Sequence, residues 1–208
     1  MRLSFLIFLC SFTLRAQSVA PFILASAPAS GGATSWSDDF NRADETPLAG
    51  NWTKARDAAA NLNLSSNKVI RASGSYDTWY FWNANSFTSA QYSWAIAGTG
   101  TGQGVCVHAK TGTLGLVALW SGGTIYLCKA VPTFSAVATA SDTQSPGDTL
   151  QISITGDGGD VTVSRNGTTK LTWTDTSGLT GGSAGIVISS DDPNALLDDW
   201  SGGSGSPP

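Results

Sequence analysis

The chain holds one glutamate, Glu45, and one histidine, His108, and these two counts restrict the chemistry open to it. Retaining glycoside hydrolysis needs two carboxyl groups about 5–5.5 Å apart, one as acid and one as nucleophile. With a single glutamate, aspartates would have to fill both roles, and most aspartates here stand beside Gly, Ser, Thr, Asn or Pro, as turn residues do. His108 lies in Gly104-Val105-Cys106-Val107-His108-Ala109. On a strand, Cys106 and His108 would share a face but stand about 7 Å apart along it. A Cys/His dyad needs about 3 Å, and a zinc site needs more ligands than this spacing offers. No catalytic residue is assigned, and the chain reads as a binding protein rather than an enzyme. His108 is then either an ordinary sheet residue, half-exposed or hydrogen-bonded, or a ligand contact on a sheet face.

Binding chemistry is better represented. Tyr76, Trp79, Tyr80, Phe81 and Trp82 crowd one short segment. Along a strand, Trp79 and Phe81 face one way, and Tyr80 and Trp82 face the other. Only one face can be core; the other lines a groove, lies under a loop, or meets water. Exposed aromatic rings offer a flat apolar surface with a polar tip, which suits the C–H face of a sugar ring. Tyr80, Trp82, His108, Trp120 and Trp173 are the expected ligand contacts. The competing reading covers both faces, one by an opposing sheet and one by loops.

Paired carboxylates stand at both ends of the central block: Asp38-Asp39 before Phe40, and Asp198-Asp199 before Trp200. If the first and last strands are neighbours, these four converge. Like charges that close together favour an intervening cation, and calcium takes six to eight oxygen ligands. Asp38, Asp39, Asp198 and Asp199 are therefore the expected metal residues, with Asp191-Asp192 a weaker candidate. The alternative is solvated turn aspartates, with Phe40 and Trp200 packed inward.

These residues need a scaffold, and the apolar period is two. Leu150, Ile152 and Ile154 alternate with polar neighbours, as do Val161 and Val163. Asn166-Gly167 supplies a hairpin turn in which both positions tolerate positive φ, and Thr168–Trp173 returns. Gly122-Gly123 does the same between Leu114–Ser121 and Thr124–Val131. Further strands are expected at Trp36–Phe40, Leu62–Ser65, Lys68–Ala72, Thr78–Trp82, Gln91–Ala97, Gly104–Ala109, Ala136–Ala140, Ala184–Ser189 and Ala195–Trp200. One short helix is expected near Lys54–Ala60. Many short strands at this spacing predict an all-β, two-sheet antiparallel sandwich or a barrel. The same turns fix the cysteines: Val117 pairs with Cys128 across Gly122-Gly123 and with Cys106 across Lys110–Thr113. Two strand spacings of about 4.8 Å exceed the roughly 7 Å reach of a disulfide, so both thiols are expected free and buried.

Met1-Arg2 followed by the apolar run Leu3–Phe12 reads as a signal peptide over residues 1–16. Residues 17–35, rich in Ala, Ser, Gly and Pro, read as a linker, 36–203 as the sandwich domain and 204–208 as a flexible tail. A secreted, extracellular chain follows. The formal net charge is −4 with no Lys/Arg cluster, which argues against nucleic acid or an anionic membrane as partner.

Asp39-Phe40-Asn41-Arg42-Ala43-Asp44, Leu48-Ala49-Gly50-Asn51-Trp52, Gly123–Leu127, Pro146–Leu150 and Leu197–Gly203 together resemble, in that order, the laminin-G-like jelly rolls of secreted bacterial proteins, in the concanavalin A-like lectin/glucanase superfamily. The resemblance implies a two-sheet jelly roll with adjacent ends, carbohydrate or extracellular matrix and envelope components as partners, and a structural calcium near the ends. It also brings a contrast: the superfamily's glucanases use Glu-x-Asp-x-x-Glu, which a single glutamate cannot supply. A lectin-like adhesion module is the first functional expectation. A structural or protein-interaction domain is the second, and an unusual hydrolase the third.

Overall fold

The computed structural model describes residues 33–208 apart from 57–58, 75, 114 and 131–133. The expected signal peptide and the linker through residue 32 lie outside the described residues. The strands run in chain order as β1 Thr34–Asp38, β2 Trp52–Lys54, β3 Leu62–Ser65, β4 Lys68–Arg71, β5 Thr78–Trp82, β6 Gln91–Ala97, β7 Gln103–Ala109, β8 Leu116–Ser121, β9 Thr124–Ala130, β10 Phe134–Ser141, β11 Thr149–Ile154, β12 Asp160–Arg165, β13 Thr168–Thr174, β14 Ser183–Ile188 and β15 Leu196–Ser204. They form two antiparallel sheets. An eight-stranded sheet has the order β13-β12-β11-β6-β15-β4-β3 with β1 alongside β15, and a seven-stranded sheet has the order β10-β9-β8-β7-β14-β5-β2. No helix occurs among the described residues. The segment expected to be helical begins instead with Lys54 ending β2, and Ala55 N–H donates to Trp79 O at 3.0 Å. The sandwich also starts earlier than the composition suggested, because Thr34 and Ser35, expected in the linker, already pair with Ser204 and Gly203.

Period-two apolarity sets the layers. Leu150, Ile152 and Ile154 of β11 and Val161 and Val163 of β12 face Val105 and Val107 of β7, Leu116, Ala118 and Trp120 of β8, and Ile186 and Ile188 of β14 in one inter-sheet core. Each such aliphatic side chain gains roughly 1.5–3 kcal/mol by leaving water. A one-residue slip would turn a whole strand's set outward, so register is tightly specified.

The core is tied across its middle by a polar link. Ser93 Oγ on β6 donates to Gly185 O on β14 at 2.8 Å, joining the two sheets, and accepts from Trp200 Nε1 at 2.9 Å. Trp200 stacks on Trp82 at 5.1 Å and meets Trp52 edge-on at 4.8 Å. Gly202 makes room for this indole: a Cβ there would run into the Trp200 ring and come within 2.8 Å of Ala184 Cβ.

Candidate functional site

Strand β5 carries the aromatic run, and its two faces have opposite fates. Tyr80 and Trp82 point between the sheets and join the main core with Trp120. Trp79 and Phe81 point away, into a second cluster on the outward face of the seven-stranded sheet with Cys106, Val117, Leu119, Tyr126, Cys128 and Val187. The expectation that Tyr80, Trp82 and Trp120 form a wet platform is therefore corrected: their exposures are 2%, 5% and 1%. Both faces of β5 are apolar, and the packing of Trp82 on Trp200 and Trp52 decides which one turns inward.

His108 is corrected as well. It is fully buried and adopts φ 57°, where the β7–β14 register shifts between Ser183 and Gly185. The irregularity breaks the simple alternation that put His108 on the face of Cys106. Its Nε2 instead lies 2.8 Å from Ser89 O and 3.9 Å from Asp157, and its backbone N–H donates to Gln91 Oε1 at 3.1 Å. Trp173 is half-buried on the other sheet, against a shallow groove of about 460 Å³ with Asp160, Thr162 and Thr172. The five expected contacts are not brought together.

The outward face of the seven-stranded sheet gathers a different set. β5 and β10 are separated by β9, β8, β7 and β14. In a flat sheet five spacings of about 4.8 Å would put them roughly 24 Å apart. Yet the rings of Trp79 and Phe134 meet edge-on at 5.8 Å. The sheet is curled, its outward face is a trough, and these two rings bridge it. Beside the bridge lies a hollow of about 290 Å³ lined by Leu119, Tyr126, Cys128, Phe134 and Ala136, with Asp77, Ser121, Ser189 and Asp191 also on its wall. Phe134 is 44% exposed, and Tyr126 is half-buried. Asp77 is fixed in place: its Oδ1 accepts from Ser189 Oγ at 2.9 Å, Ser190 N–H at 2.7 Å and Ser190 Oγ at 3.1 Å. Ser121 Oγ donates to the exposed Asp191 at 3.5 Å.

Two rings and two carboxylates thus share one small concavity, a pairing of apolar surface with hydrogen-bond acceptors. Sequence reasoning missed Tyr126 and Phe134 because each stands alone in the chain. The signal available was parity: Ile125 and Leu127 flank Tyr126 and are both core, which turns Tyr126 outward. The cysteines fall as expected. Val117 pairs with both Cys106 and Cys128, and both thiols are free and buried. Burial, helped by the nearby Asp77 charge, pushes the Cys128 thiol up to about 12, and burial also raises Cys106. Neither is a ready nucleophile.

The first and last strands do meet, since Asp38 pairs with Trp200 across β1 and β15. They border a polar cleft of about 600 Å³ lined by Asp38, Asp39, Arg42, Glu45, Asn51 and Trp82. The expected four-aspartate metal rim is corrected here. Asp38 accepts from Arg42 Nη1 at 2.6 Å, from Phe40 N–H at 2.9 Å and from Trp52 Nε1 at 2.8 Å. Asp198 pairs with Lys68. Two of the four charges that calcium was expected to neutralise, those of Asp38 and Asp198, are met by side-chain cations, and among the described residues no group of three or more His, Cys, Asp or Glu is placed to hold a metal. Glu45 is also engaged: Arg42 Nε donates to it at 2.7 Å, and this hydrogen bond is the main cause holding its carboxyl below the usual range. Asp199 is pushed the other way, chiefly by burial and then by the Asp198 charge. Asp39 is lowered by hydrogen bonds from the Asn41 backbone and side chain. Asp191 lies in the hollow, and Asp192 instead accepts from the N–H groups of Thr101 at 2.7 Å and Asn194 at 2.8 Å.

Two antiparallel sheets facing across one core, with the first and last strands paired, define a jelly roll of the concanavalin A-like type. Solved structures share it. The carbohydrate-binding module CBM66 from Bacillus subtilis superposes with a TM-score of 0.55 at 14% identity, over 72% of this chain and 91% of that one. A β-1,3-1,4-glucanase (lichenase) derived from a mouse hindgut metagenome gives 0.52 at 8% identity, over 83% and 100%. The VIP36 exoplasmic/lumenal domain in its Ca²⁺/Man-bound form gives 0.51 at 10% identity, over 74% and 83%. No family model matches the sequence, and no curated protein does. Identities this low establish the shared fold alone.

Proposed function

We propose that the protein is a secreted, non-catalytic carbohydrate-binding module, and that the hollow on the curled sheet is its sugar site. The observation behind this reading is the meeting of Phe134 and Tyr126 with Asp77 and Asp191 in one concavity. Aromatic faces take the apolar side of a pyranose ring, and carboxylates accept from its hydroxyls. That the fold is shared with a carbohydrate-binding module and with the VIP36 exoplasmic/lumenal domain in its Ca²⁺/Man-bound form supports the reading. A non-catalytic role is supported by Glu45, the one glutamate, being tied to Arg42. Secretion rests on the reading of residues 1–16. At the strand ends Arg42 pairs with Asp38 and Lys68 with Asp198.

A glycan array followed by titration tests the proposal. Binding of at least one glycan is expected, weakened about tenfold or more, equivalent to about 1.4 kcal/mol, in both Phe134→Ala and Asp191→Asn. Silence across the array would favour an interaction domain of an extracellular assembly. Release of reducing sugar would replace the binding reading with a hydrolase.

A further inference from the structure

Resting on that reading, we infer that the hollow takes a single terminal ring of a glycan and not an internal stretch of chain. A site for internal segments needs an open bed running across several strands. Here the bed beyond the hollow is filled. Trp79, Cys106, Val117 and Val187 all face outward from the sandwich, where such a bed would lie, yet their exposures are 2%, 0%, 0% and 0%. Ala55 belongs to the same cluster and is 1% exposed, and its N–H is held by Trp79 O on β5. The contact between Trp79 and Phe134 closes the trough at 5.8 Å, so a polysaccharide lying across the strands would have to pass through two touching rings.

The remaining space agrees with this. The hollow measures about 290 Å³, at the small end of the roughly 300–1,000 Å³ found for ligand sites. Its polar groups suit an end group as well. A terminal ring keeps a hydroxyl that an internal ring gives up to the next linkage. Asp77 and Asp191 are acceptors when ionised and can receive such a hydroxyl. Asp77 is held by Ser189 and Ser190 and cannot swing aside without breaking three hydrogen bonds.

The test is a calorimetric titration of the full chain with cello-, laminari-, manno- and xylo-oligosaccharides of one to six rings, together with cyclic glucans that have no ends. In any series that binds, Kd is expected to stay within about threefold from two rings to six, with no binding of the cyclic glucans. A tenfold or greater gain on lengthening, or cyclic glucans binding as well as linear ones, overturns the end-group inference while leaving the sugar site standing. Failure of every series and of the glycan array removes the sugar site and this inference together.

Discussion

Replacing Ser93 by alanine tests whether the core link between the sheets is as important as its geometry implies. The hydroxyl donates to Gly185 O at 2.8 Å and accepts from Trp200 Nε1 at 2.9 Å. Ser93 and Trp200 are 0% and 1% exposed, so water cannot replace the lost partner. An indole N–H left unsatisfied in a core costs about 1–3 kcal/mol. The Gly185 carbonyl sits in a strand paired on both sides, so its loss falls at the low end of that range. The sum is roughly 2–4 kcal/mol, a large part of the 5–15 kcal/mol that holds a domain folded. For a domain of this size 1 kcal/mol moves Tm by about 2–4 °C, so a fall of about 4–16 °C is expected, with a matching loss in urea. Trp200→Phe completes a double-mutant cycle. Once the indole N–H is gone, Ser93→Ala should cost about 1–2 kcal/mol less than it does alone. A Ser93→Ala loss below about 0.5 kcal/mol, or two strictly additive losses, would refute the account.

Two further outcomes follow from local electrostatics and burial. Asp199 has φ 33° and a carboxyl pushed up by burial and by Asp198. A raised native value means that its charge opposes folding at neutral pH and ceases to do so once the group is protonated, so Asp199→Asn should raise the unfolding free energy measured in urea at pH 7 by about a few tenths of a kcal/mol, with the gain fading as pH falls through the carboxylate range; an equal gain at pH 3 would contradict this. Cys106 and Cys128 should resist iodoacetamide in the native protein and react fully in denaturant, and a tryptic digest made without reductant should release 72–110 and 111–129 as separate fragments, since Lys110 lies between the two cysteines; rapid native labelling of either would show that its buried setting is wrong.

The sequence was most informative where turn chemistry and alternation agreed. Asn166-Gly167 closes β12 onto β13, with Arg165 opposite Thr168. Gly122-Gly123 closes β8 onto β9, with Ser121 opposite Thr124. From that second turn the cysteine register followed by counting. It was least informative where both faces of a strand are apolar. Trp79 and Phe81 have the same character as Tyr80 and Trp82, and only partners distant in sequence, Trp52 and Trp200, choose between them. His108 escaped alternation because β7 carries an extra residue there: the two steps from Ser183 to Gly185 on β14 stand opposite the three from Ala109 to Cys106 on β7, and His108 takes up the irregularity with φ 57°. The hollow was illegible for a related reason: it depends on curling, which brings Phe134 to Trp79 across four intervening strands. Charge pairing at the ends was legible as proximity but not as chemistry, since Arg42 and Lys68 reach the aspartates from outside the pairs that suggested calcium.

The pairing of β1 with β15 has a mechanical side. Thr34 and Ser204 lie opposite each other at one end of a ladder of five residue pairs that runs to Asp38 and Trp200. A pull applied through the two termini therefore loads that ladder from its open end and parts it one rung at a time, instead of shearing all the rungs together. The last rung to part is Asp38 against Trp200, where Asp38 also accepts from Trp52 Nε1. The first event under load should be peeling of β1 at low force, with the remaining sandwich still intact. Tethered by both ends, this domain would let out slack early while most of the sandwich stays folded.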